Sequence, residues 1–237
     1  MPEIFKIRFK GSIKRTPTVE SFRFIPEKKI DFICGQFLQI IFDKDNLSNG
    51  ELNKFLSFSS SPTKDYIEVT KRLSDSKFSM QLKNLRPDDE ILAKGPFGNC
   101  VFNENYKKIG FLIGGIGITP VISILEYIDE KKINTDVLLF YANRIDSEIA
   151  FKDELDKMFS NNPKSKLIYI VTDCPSVNKN CIFSRFDREF LKSHIDELND
   201  RIIYIFGPPK MVDAVKEFCL ELGLIKENIK VESFIGY

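Results

Sequence analysis

The sequence predicts two domains of different fold class: an antiparallel β-barrel over residues 1–104, followed by a parallel-sheet α/β domain over residues 105–237. Up to about Asn103, short segments that alternate apolar and polar residues are separated by turn residues, as in antiparallel sheets. After Tyr106, nearly continuous apolar runs alternate with segments of helical periodicity, as in parallel α/β folds. The polar stretch NENYK at 103–107 separates the two patterns.

Composition and charge exclude several function classes. The chain has 237 residues, of which 43% are hydrophobic, and its 35 Lys and Arg residues nearly balance 34 Asp and Glu residues. It therefore lacks the strong positive charge typical of proteins that bind nucleic acid or an anionic membrane. The first residues, MPEIFKIRFKGSIKR, contain no signal-peptide core, and no later uncharged run reaches the roughly 18 residues of a membrane span. We expect a cytoplasmic protein without membrane insertion.

The five cysteines do not indicate a disulfide framework or a metal site. Their number is odd and they are scattered along the chain. The one near pair, Cys174 and Cys181, has no further cysteine or histidine at zinc or iron-sulfur spacing. We therefore expect no metal.

The elements of the first half are short strands with one helix. The strands alternate apolar and polar residues or are bounded by Gly, Pro, Asn and Asp, which is typical of a barrel or sandwich. The expected helix covers residues 77–85, where Phe78, Leu82 and Leu85 share one face. The expected strands are EIFKIRFKG, VESFRFIPE, GQFLQIIF, YIEVTKRL and DEILAKGPFG.

The elements of the second half alternate between strand and helix. A buried parallel sheet with right-handed helical crossovers is the fold that this order predicts. The expected strands are KIGFLIG, DVLLFYAN, KLIYIVTD, RIIYIFGP and NIKVESF. The expected helices are PVISILEYIDEKK, EIAFKDELDKMF, DREFLKSHI and KMVDAVKEFCLELG.

The first strand of the second half ends in a glycine turn, GGIGITP at residues 114–120. Gly115 and Gly117 permit positive backbone angles and close approach of a ligand to the main chain. Thr119 is expected to cap the following helix, with Pro120 at its first position. Free amide groups at such a helix start favour a phosphate, although a tightly packed turn without a ligand has the same composition.

A second glycine turn follows a later strand, in GPPKMVDAV at residues 207–215. Ligands of parallel sheets bind at the carboxyl ends of the strands, so both turns are expected at the same edge.

Several segments together resemble the ferredoxin:NADP reductase superfamily, in particular its compact FAD-dependent NAD(P)H oxidoreductases without an iron-sulfur domain. The segments occur in the family's order along nearly the whole chain. The resemblance implies that the barrel holds FAD and that the α/β domain receives NADPH or NADH.

KFLSFSSSP, residues 54–62, is similar to the family's flavin signature. The resemblance implies that Ser57 lies beside the reactive edge of the flavin and that Ser60 is the later serine of the motif. Lys54 stands where the family has an arginine for the flavin diphosphate, and lysine keeps the charge without the bidentate fork. Leu56 stands where an aromatic residue would pack on the ring.

The short helix KFSMQL, residues 77–82, resembles the family's second flavin segment. The resemblance implies that Lys77, Phe78 and Ser79 offer backbone amides and a hydroxyl to the diphosphate. KGPFG at residues 94–98 is similar to the turn that closes the family's barrel.

The glycine turn ending in proline matches the family's dinucleotide turn and adds cofactor contacts at Gly115, Gly117, Thr119 and Pro120. Arg144 follows the second strand, where the adenosine ribose would lie; it could pair with a 2′-phosphate, which slightly favours NADPH, or lie along the adenine.

GPPKMV resembles the nicotinamide-side turn, which implies contacts from Gly207, Pro208 and Met211. Phe206 occupies the place where many members of the family have a cysteine.

The segment KVESFIGY resembles the family's C-terminus. Glu232 falls on the glutamate near the flavin and Phe234 on the aromatic residue that covers the ring, with Tyr237 just beyond. The implied catalytic residues are therefore Ser57, Glu232 and Phe234. Hydride would pass from NAD(P)H to FAD, and electrons then to an acceptor such as a ferredoxin-like or oxygenase protein.

Two alternatives remain open from the sequence. The first is an electron-transfer subunit of a larger oxidoreductase; subunits that serve dihydroorotate oxidation usually carry a C-terminal cysteine cluster, which this chain does not show. The second is a non-catalytic nucleotide-binding protein that has lost FAD, as the residues at Lys54 and Leu56 would allow. The single histidine, His194, makes a Ser-His-Asp hydrolase hard to build and is expected at the surface.

Overall fold

The computed structural model describes residues 2–173 and 181–234. The chain forms two compact units. One contains the chain up to Phe102 together with the segment Thr119–Lys131, and the other contains Asn103–Ile118 and the chain from Lys132 onward. The domain limits 1–104 and 105–237 stay a prediction, because this grouping follows contacts rather than chain order.

The first unit is an antiparallel barrel, as the sequence predicts. Within the described residues its sheet has six strands in the order β4-β3-β6-β1-β2-β5. The end of β4 reaches β5 through a Phe58–Val69 bridge and a 2.8 Å hydrogen bond from Ser59 N to Glu68 O, which nearly closes the barrel. The elements are β1 (Glu3–Lys14), β2 (Val19–Pro26), β3 (Phe37–Ile41), β4 (Asn53–Ser57), β5 (Ile67–Arg72), α1 (Lys77–Asn84) and β6 (Glu90–Phe97).

The barrel core follows from the alternation of the strands. In β1, the residues Phe5, Ile7 and Phe9 are buried while their sequence neighbours are exposed. They pack with phenylalanines of β2 and with Phe78 and Leu82 of α1 in one apolar cluster. Period-two burial in the strands and one apolar stripe on α1 therefore produce a single core.

The second unit contains a parallel sheet. Within the described residues its strand order is β10-β9-β8-β7-β11-β12, and neighbouring strands in this order are parallel. The strands are β7 (Lys108–Gly114), β8 (Asp136–Asn143), β9 (Lys166–Val171), β10 (Cys181–Phe183), β11 (Ile202–Gly207) and β12 (Ile229–Ser233). The helices that follow them along the chain are α3 (Lys152–Ser160), α4 (Arg188–Ser193), α5 (Ile195–Leu198) and α6 (Pro209–Glu221).

The central strands of this sheet are fully buried. β7 and β8 each have a nearly continuous run of buried residues, as strands covered on both faces should. The fold class predicted from the sequence is therefore confirmed. Strand β10 was not among the predicted elements, and the helix expected at residues 187–195 is divided at His194 into α4 and α5.

The helix α2 (Thr119–Lys131) follows β7 along the chain but groups with the barrel. Its buried residues include Val121, Ile122, Ser123 and Ile124. Across the residues that the structure describes, no helix combines the length and the apolar character needed to cross a bilayer.

Candidate functional site

Strand β4 and the residues after it carry four serine hydroxyls in five positions, and they differ in their partners. Ser57 is 4% exposed, and its hydroxyl has no hydrogen bond to any described residue. The hydroxyls of Ser59, Ser60 and Ser61 all bond to protein groups. Ser57 is thus the serine of this segment whose hydroxyl has no partner in the described part of the chain; its role beside a flavin stays a prediction.

The neighbouring serines are held by β5. The Ser60 hydroxyl accepts a 3.0 Å hydrogen bond from Glu68 N, and Ser59 Oγ lies 2.7 Å from Thr70 Oγ1. Thr70 Oγ1 in turn lies 2.7 Å from Ser21 Oγ. The Ser60 hydroxyl, which the sequence assigns to the cofactor, therefore already accepts a bond from the protein backbone.

The Glu68 carboxylate anchors this side of the barrel. It is 2% exposed and accepts hydrogen bonds from Arg15 at 2.9 Å and Arg23 at 2.7 Å. Arg15 also donates to Ser21 Oγ at 2.8 Å. A buried carboxylate with two guanidinium partners is well compensated, so β5 provides a fixed support for the serines.

Two lysines of the barrel, Lys54 and Lys71, lie close enough for their charges to interact, and Lys54 also lies near the Glu51 carboxylate. Lys71, on β5, is 8% exposed, and burial together with the nearby charge of Lys54 lowers its pKa. Neither lysine forms a hydrogen bond or salt bridge with a described residue. Leu56 packs partly buried against the barrel core. The two ammonium groups are suited to bind an anion. Lys71 was not among the site residues predicted from the sequence.

Several polar groups at the start of α1 that the sequence assigns to a ligand are already bonded to other protein groups. Ser76 caps the helix by accepting a 3.3 Å hydrogen bond from Ser79 N, and the Ser79 hydroxyl bonds to Ser74 and Ser76. Phe78 is fully buried, and the Lys77 ammonium pairs with Glu51 at 2.6 Å. What remains for an anion at this helix start is the backbone amides of Lys77 and Phe78.

The glycine turn of the second unit begins helical structure earlier than expected. A 3₁₀ turn covers Gly115–Ile118 and leads directly into α2 at Thr119. The expectation that Thr119 is a non-helical cap and Pro120 the first helical residue was wrong. The positive φ of 52° at Gly115 tightens the chain at once, so Thr119 is itself helical and 2% exposed.

The two glycines of this turn serve different purposes. A Cβ on Gly117 would lie 2.6 Å from the backbone oxygen of Phe206, so this glycine is required for packing. A Cβ on Gly115 would meet no atom within 4 Å. The open space beside Gly115 is where a ligand could approach the main chain.

The second turn packs against the first. A Cβ on Gly207 would lie 2.7 Å from Met211 Cε and 3.3 Å from the backbone of Gly114. Pro208 precedes α6 and is exposed. Met211 therefore fills the space between the ends of β7 and β11, and the glycines let these ends approach each other.

Arg144 follows β8 and is paired with an acid. Its Nε lies 2.7 Å from Asp173 Oδ2, and the guanidinium, with Thr172, lowers the pKa of Asp173. The Arg144 side chain is 84% exposed. Its carboxylate partner Asp173, which follows β9 in the chain, was not among the residues predicted from the sequence.

Glu232 and Phe234 lie at the end of β12. Glu232 is partly buried without a hydrogen-bonding partner among the described residues, and burial raises its pKa to about 7. Phe234 N donates a 2.9 Å hydrogen bond to Gly207 O, and its ring lies 6.5 Å from that of Phe206. Phe206 itself is fully buried. A carboxyl group that titrates near neutrality is a candidate for a functional role; Tyr237 lies outside the described residues.

Each unit thus gathers part of the predicted set. In the first, the serine segment, residues 57–61, provides a hydroxyl without a partner among the described residues, and Lys54 and Lys71 provide two neighbouring positive charges. In the second, the glycine turns lie at the carboxyl ends of neighbouring strands β7 and β11. The described residues contain no cluster of three metal-ligating side chains.

Comparison with known proteins agrees with this arrangement. Residues 111–217 match the model of the oxidoreductase NAD-binding domain family. A ferredoxin NADP+ reductase from Neisseria gonorrhoeae, whose crystal structure has bound FAD and NADP, superposes with a TM-score of 0.83 at 21% identity, covering 97% of this chain and 98% of that one.

Residues 111–217 thus match an oxidoreductase NAD-binding domain, and the chain has the fold of the Neisseria reductase. The family resemblance predicted from the sequence is confirmed.

Curated relatives cover most of the chain. The reductase component 1 of terephthalate 1,2-dioxygenase from Comamonas is 24% identical over 209 residues, 87% of this chain and 60% of the relative. An NADH-cytochrome b5 reductase-like protein from Arabidopsis thaliana is 26% identical over 219 residues, 89% of this chain and 66% of the relative. The chain thus spans less than two thirds of the length of these relatives.

Proposed function

We propose that the protein is an FAD-dependent NAD(P)H reductase that passes electrons to a separate acceptor. The observation that carries the proposal is a pair of neighbouring lysines, Lys54 and Lys71, in the same barrel as the Ser57 hydroxyl. Neither ammonium group forms a hydrogen bond or salt bridge with a described residue. A flavin dinucleotide has a diphosphate for the lysines and ring acceptors for the hydroxyl. When bound, FAD would supply the redox chemistry, accepting hydride from NAD(P)H and releasing electrons.

In the first unit, the protein groups bind and orient. Lys54 and Lys71 would bind the diphosphate, assisted by the amides of Lys77 and Phe78 at the start of α1. Leu56 would cover the ring with an apolar surface in place of aromatic stacking. Ser57 would donate a hydrogen bond to the ring.

In the second unit, the open space beside Gly115 is proposed to receive the NAD(P)H diphosphate, with Gly207 and Pro208 on the nicotinamide side. Glu232 is proposed to hold a proton near the reacting centre, since burial keeps its pKa near neutrality. Phe234 is proposed to exclude water until the nicotinamide replaces it.

The partner of Arg144 favours NADH as the donor. A carboxylate at this place accepts the 2′-hydroxyl of a ribose and repels a 2′-phosphate. Because Asp173 neutralises Arg144 at 2.7 Å, the pair offers no excess positive charge to a phosphate. We expect a higher kcat/KM for NADH than for NADPH, and Asp173→Ser should improve the use of NADPH. Equal improvement with both donors would contradict the proposed role of Asp173.

The acceptor is proposed to be a protein with its own redox centre. One similar protein is the reductase component of a dioxygenase and another is a cytochrome b5 reductase-like protein, so an oxygenase or a cytochrome is the expected class. Ferricyanide and cytochrome b5, tested separately with NADH, would show whether a small acceptor suffices.

FAD titration of flavin-free protein tests the barrel site. Lys71→Met keeps the length and apolar stem of the side chain and removes the charge. We expect FAD affinity to fall about tenfold or more, since a hydrogen bond to a charged group is lost. We also expect unfolding stability to stay equal or rise, because burial and Lys54 disfavour the charged form of Lys71.

The matched control is Lys83→Met, which removes an exposed charge at the end of α1. It should bind FAD like the wild type. A Lys71→Met variant with unchanged FAD affinity would show that the two lysines do not form the diphosphate site.

A further inference from the structure

Helix α2 carries a polar stripe that contacts the barrel. Ser123, Glu126 and Glu130 are spaced by three and four residues, so they lie on one side of the helix. These three side chains form hydrogen bonds and an ion pair with residues 60–64, which comprise the end of the serine segment and the loop after it.

Two of these contacts hold consecutive backbone groups. Ser123 Oγ donates a 2.7 Å hydrogen bond to the carbonyl oxygen of Ser60, and Glu126 Oε2 accepts a 2.8 Å hydrogen bond from Ser61 N. Ser60, Ser61 and Ser123 are each 1% exposed or less. Buried backbone groups without partners are costly, so these two side chains fix the path of the chain at this point.

A third contact extends the stripe outward. Glu130 bonds to the hydroxyl of Thr63 and pairs with the ammonium of Lys64. Thr63 Oγ1 lies 2.7 Å from Ser61 Oγ, so the outer contact leads back to the same serine. The loop is therefore tied to α2 along two helical turns.

The opposite side of the segment is held by β5. Glu68 N donates to the Ser60 hydroxyl and Thr70 bonds to the Ser59 hydroxyl. The serine segment therefore lies between two supports. β5 bonds to two of its four hydroxyls and to Ser59 N, and α2 bonds to two further backbone groups, Ser60 O and Ser61 N. Ser57, whose hydroxyl has no partner in the described part of the chain, is three residues before Ser60.

We propose that Ser123 and Glu126 are positioning residues for the flavin site: by holding the backbone of Ser60 and Ser61, they place the Ser57 hydroxyl and its neighbours for FAD. This inference rests on the proposed function. Because α2 follows the glycine turn without a break in the chain, the helix that begins at the proposed nucleotide turn also supports the proposed flavin segment.

The test compares four variants of the full chain. Ser123→Ala and Glu126→Ala each remove one backbone contact, and Glu126→Gln keeps an oxygen that can accept from Ser61 N. Lys131→Ala removes an exposed charge in the last turn of the same helix and is the control. Each flavin-free variant is titrated with FAD, and the visible circular dichroism of the bound flavin and the unfolding midpoint are recorded.

We expect Ser123→Ala and Glu126→Ala to weaken FAD binding about tenfold each, since each frees a backbone group that the bound state requires fixed. Their flavin dichroism should change in shape, because the ring environment is altered. Glu126→Gln should bind FAD within about twofold of the wild type, because it retains the accepting oxygen. Lys131→Ala should behave as the wild type in all three measurements.

A lower unfolding midpoint with unchanged FAD affinity and dichroism would mean that these contacts only stabilise the fold, and would overturn the proposal. If Glu126→Ala does not fold, Ser123→Ala decides by the same criteria. A wild-type protein that does not bind FAD would refute the proposed function and this inference with it. Normal binding by the wild type and by both alanine variants would refute the inference alone.

Discussion

Replacing Gly117 by alanine tests the packing of the two glycine turns. The added Cβ would lie 2.6 Å from Phe206 O, 2.7 Å from Phe206 C and 2.9 Å from Gly207 N. All three are backbone atoms of β11, so no side-chain rotation can relieve the contact. An ordinary contact begins at 3.4 Å, so the turn or β11 must move by about 0.8 Å, the difference between 3.4 and 2.6 Å.

Overpacking of this kind lowers the free energy of unfolding by about 1–3 kcal/mol. Because the atoms that the new Cβ would meet belong to the backbone, we expect a loss near 3 kcal/mol. For a chain of this size, about 3 kcal/mol lowers the unfolding midpoint by about 6–12 °C. Gly115→Ala is the matched variant, because its Cβ would meet open space. Its free energy of unfolding should fall by about 1 kcal/mol, because alanine is strained in the left-handed backbone conformation at φ 52°. Its Kd for NADH should nevertheless rise, because the methyl group occupies the space proposed for the ligand.

Thermal unfolding followed by circular dichroism and NADH titration of both variants check this reasoning. A Gly117→Ala midpoint within about 1 °C of the wild type would refute the packing argument. If Gly115→Ala bound NADH as tightly as the wild type, the space beside Gly115 would not be the ligand site.

Three further predictions concern the residues expected to act in the reaction. Ser57→Ala should lower the rate of flavin reduction by about tenfold or more, with little change in stability because its hydroxyl has no protein partner; an unchanged rate in stopped-flow measurements would exclude the role. Glu232→Gln should remove a pH dependence of stability. Because burial raises the Glu232 pKa to about 7, the free energy of unfolding of the wild type should fall by about 3 kcal/mol as pH rises from about 4.5 to about 7. In denaturant titrations above pH 7, Glu232→Gln should therefore be more stable than the wild type. Phe234→Ala should change the KM for the nucleotide and speed reoxidation of the flavin by oxygen. If steady-state kinetics showed the same KM and the same reoxidation rate as the wild type, Phe234 would not cover the flavin ring.

The sequence predicts both sheets because their burial patterns differ. β1 alternates exposed and buried residues, whereas β7 is buried from Ile109 to Gly114, and each pattern has one natural architecture. The glycine turns were also predictable, since their position after buried strands is local information. The sequence does not show that Gly117 is required for packing while Gly115 faces open space.

Other features depend on contacts between distant segments. The bonds between α2 and the serine segment join residues 63 and 65 positions apart, so no local pattern indicates them. The pairing of Arg144 with Asp173 spans 29 positions. Lys71 did leave a signal, because alternation puts it on the same strand face as Ile67 and Val69, two core residues, where a charge is unusual.

The measurement that tests the central claim most directly is the visible absorption spectrum of the protein loaded with FAD in the absence of oxygen, before and after addition of NADH and, separately, NADPH. The account predicts a yellow protein that bleaches with NADH faster than with NADPH. A protein that stays colourless after incubation with FAD, or a yellow protein that neither nucleotide bleaches, would contradict it.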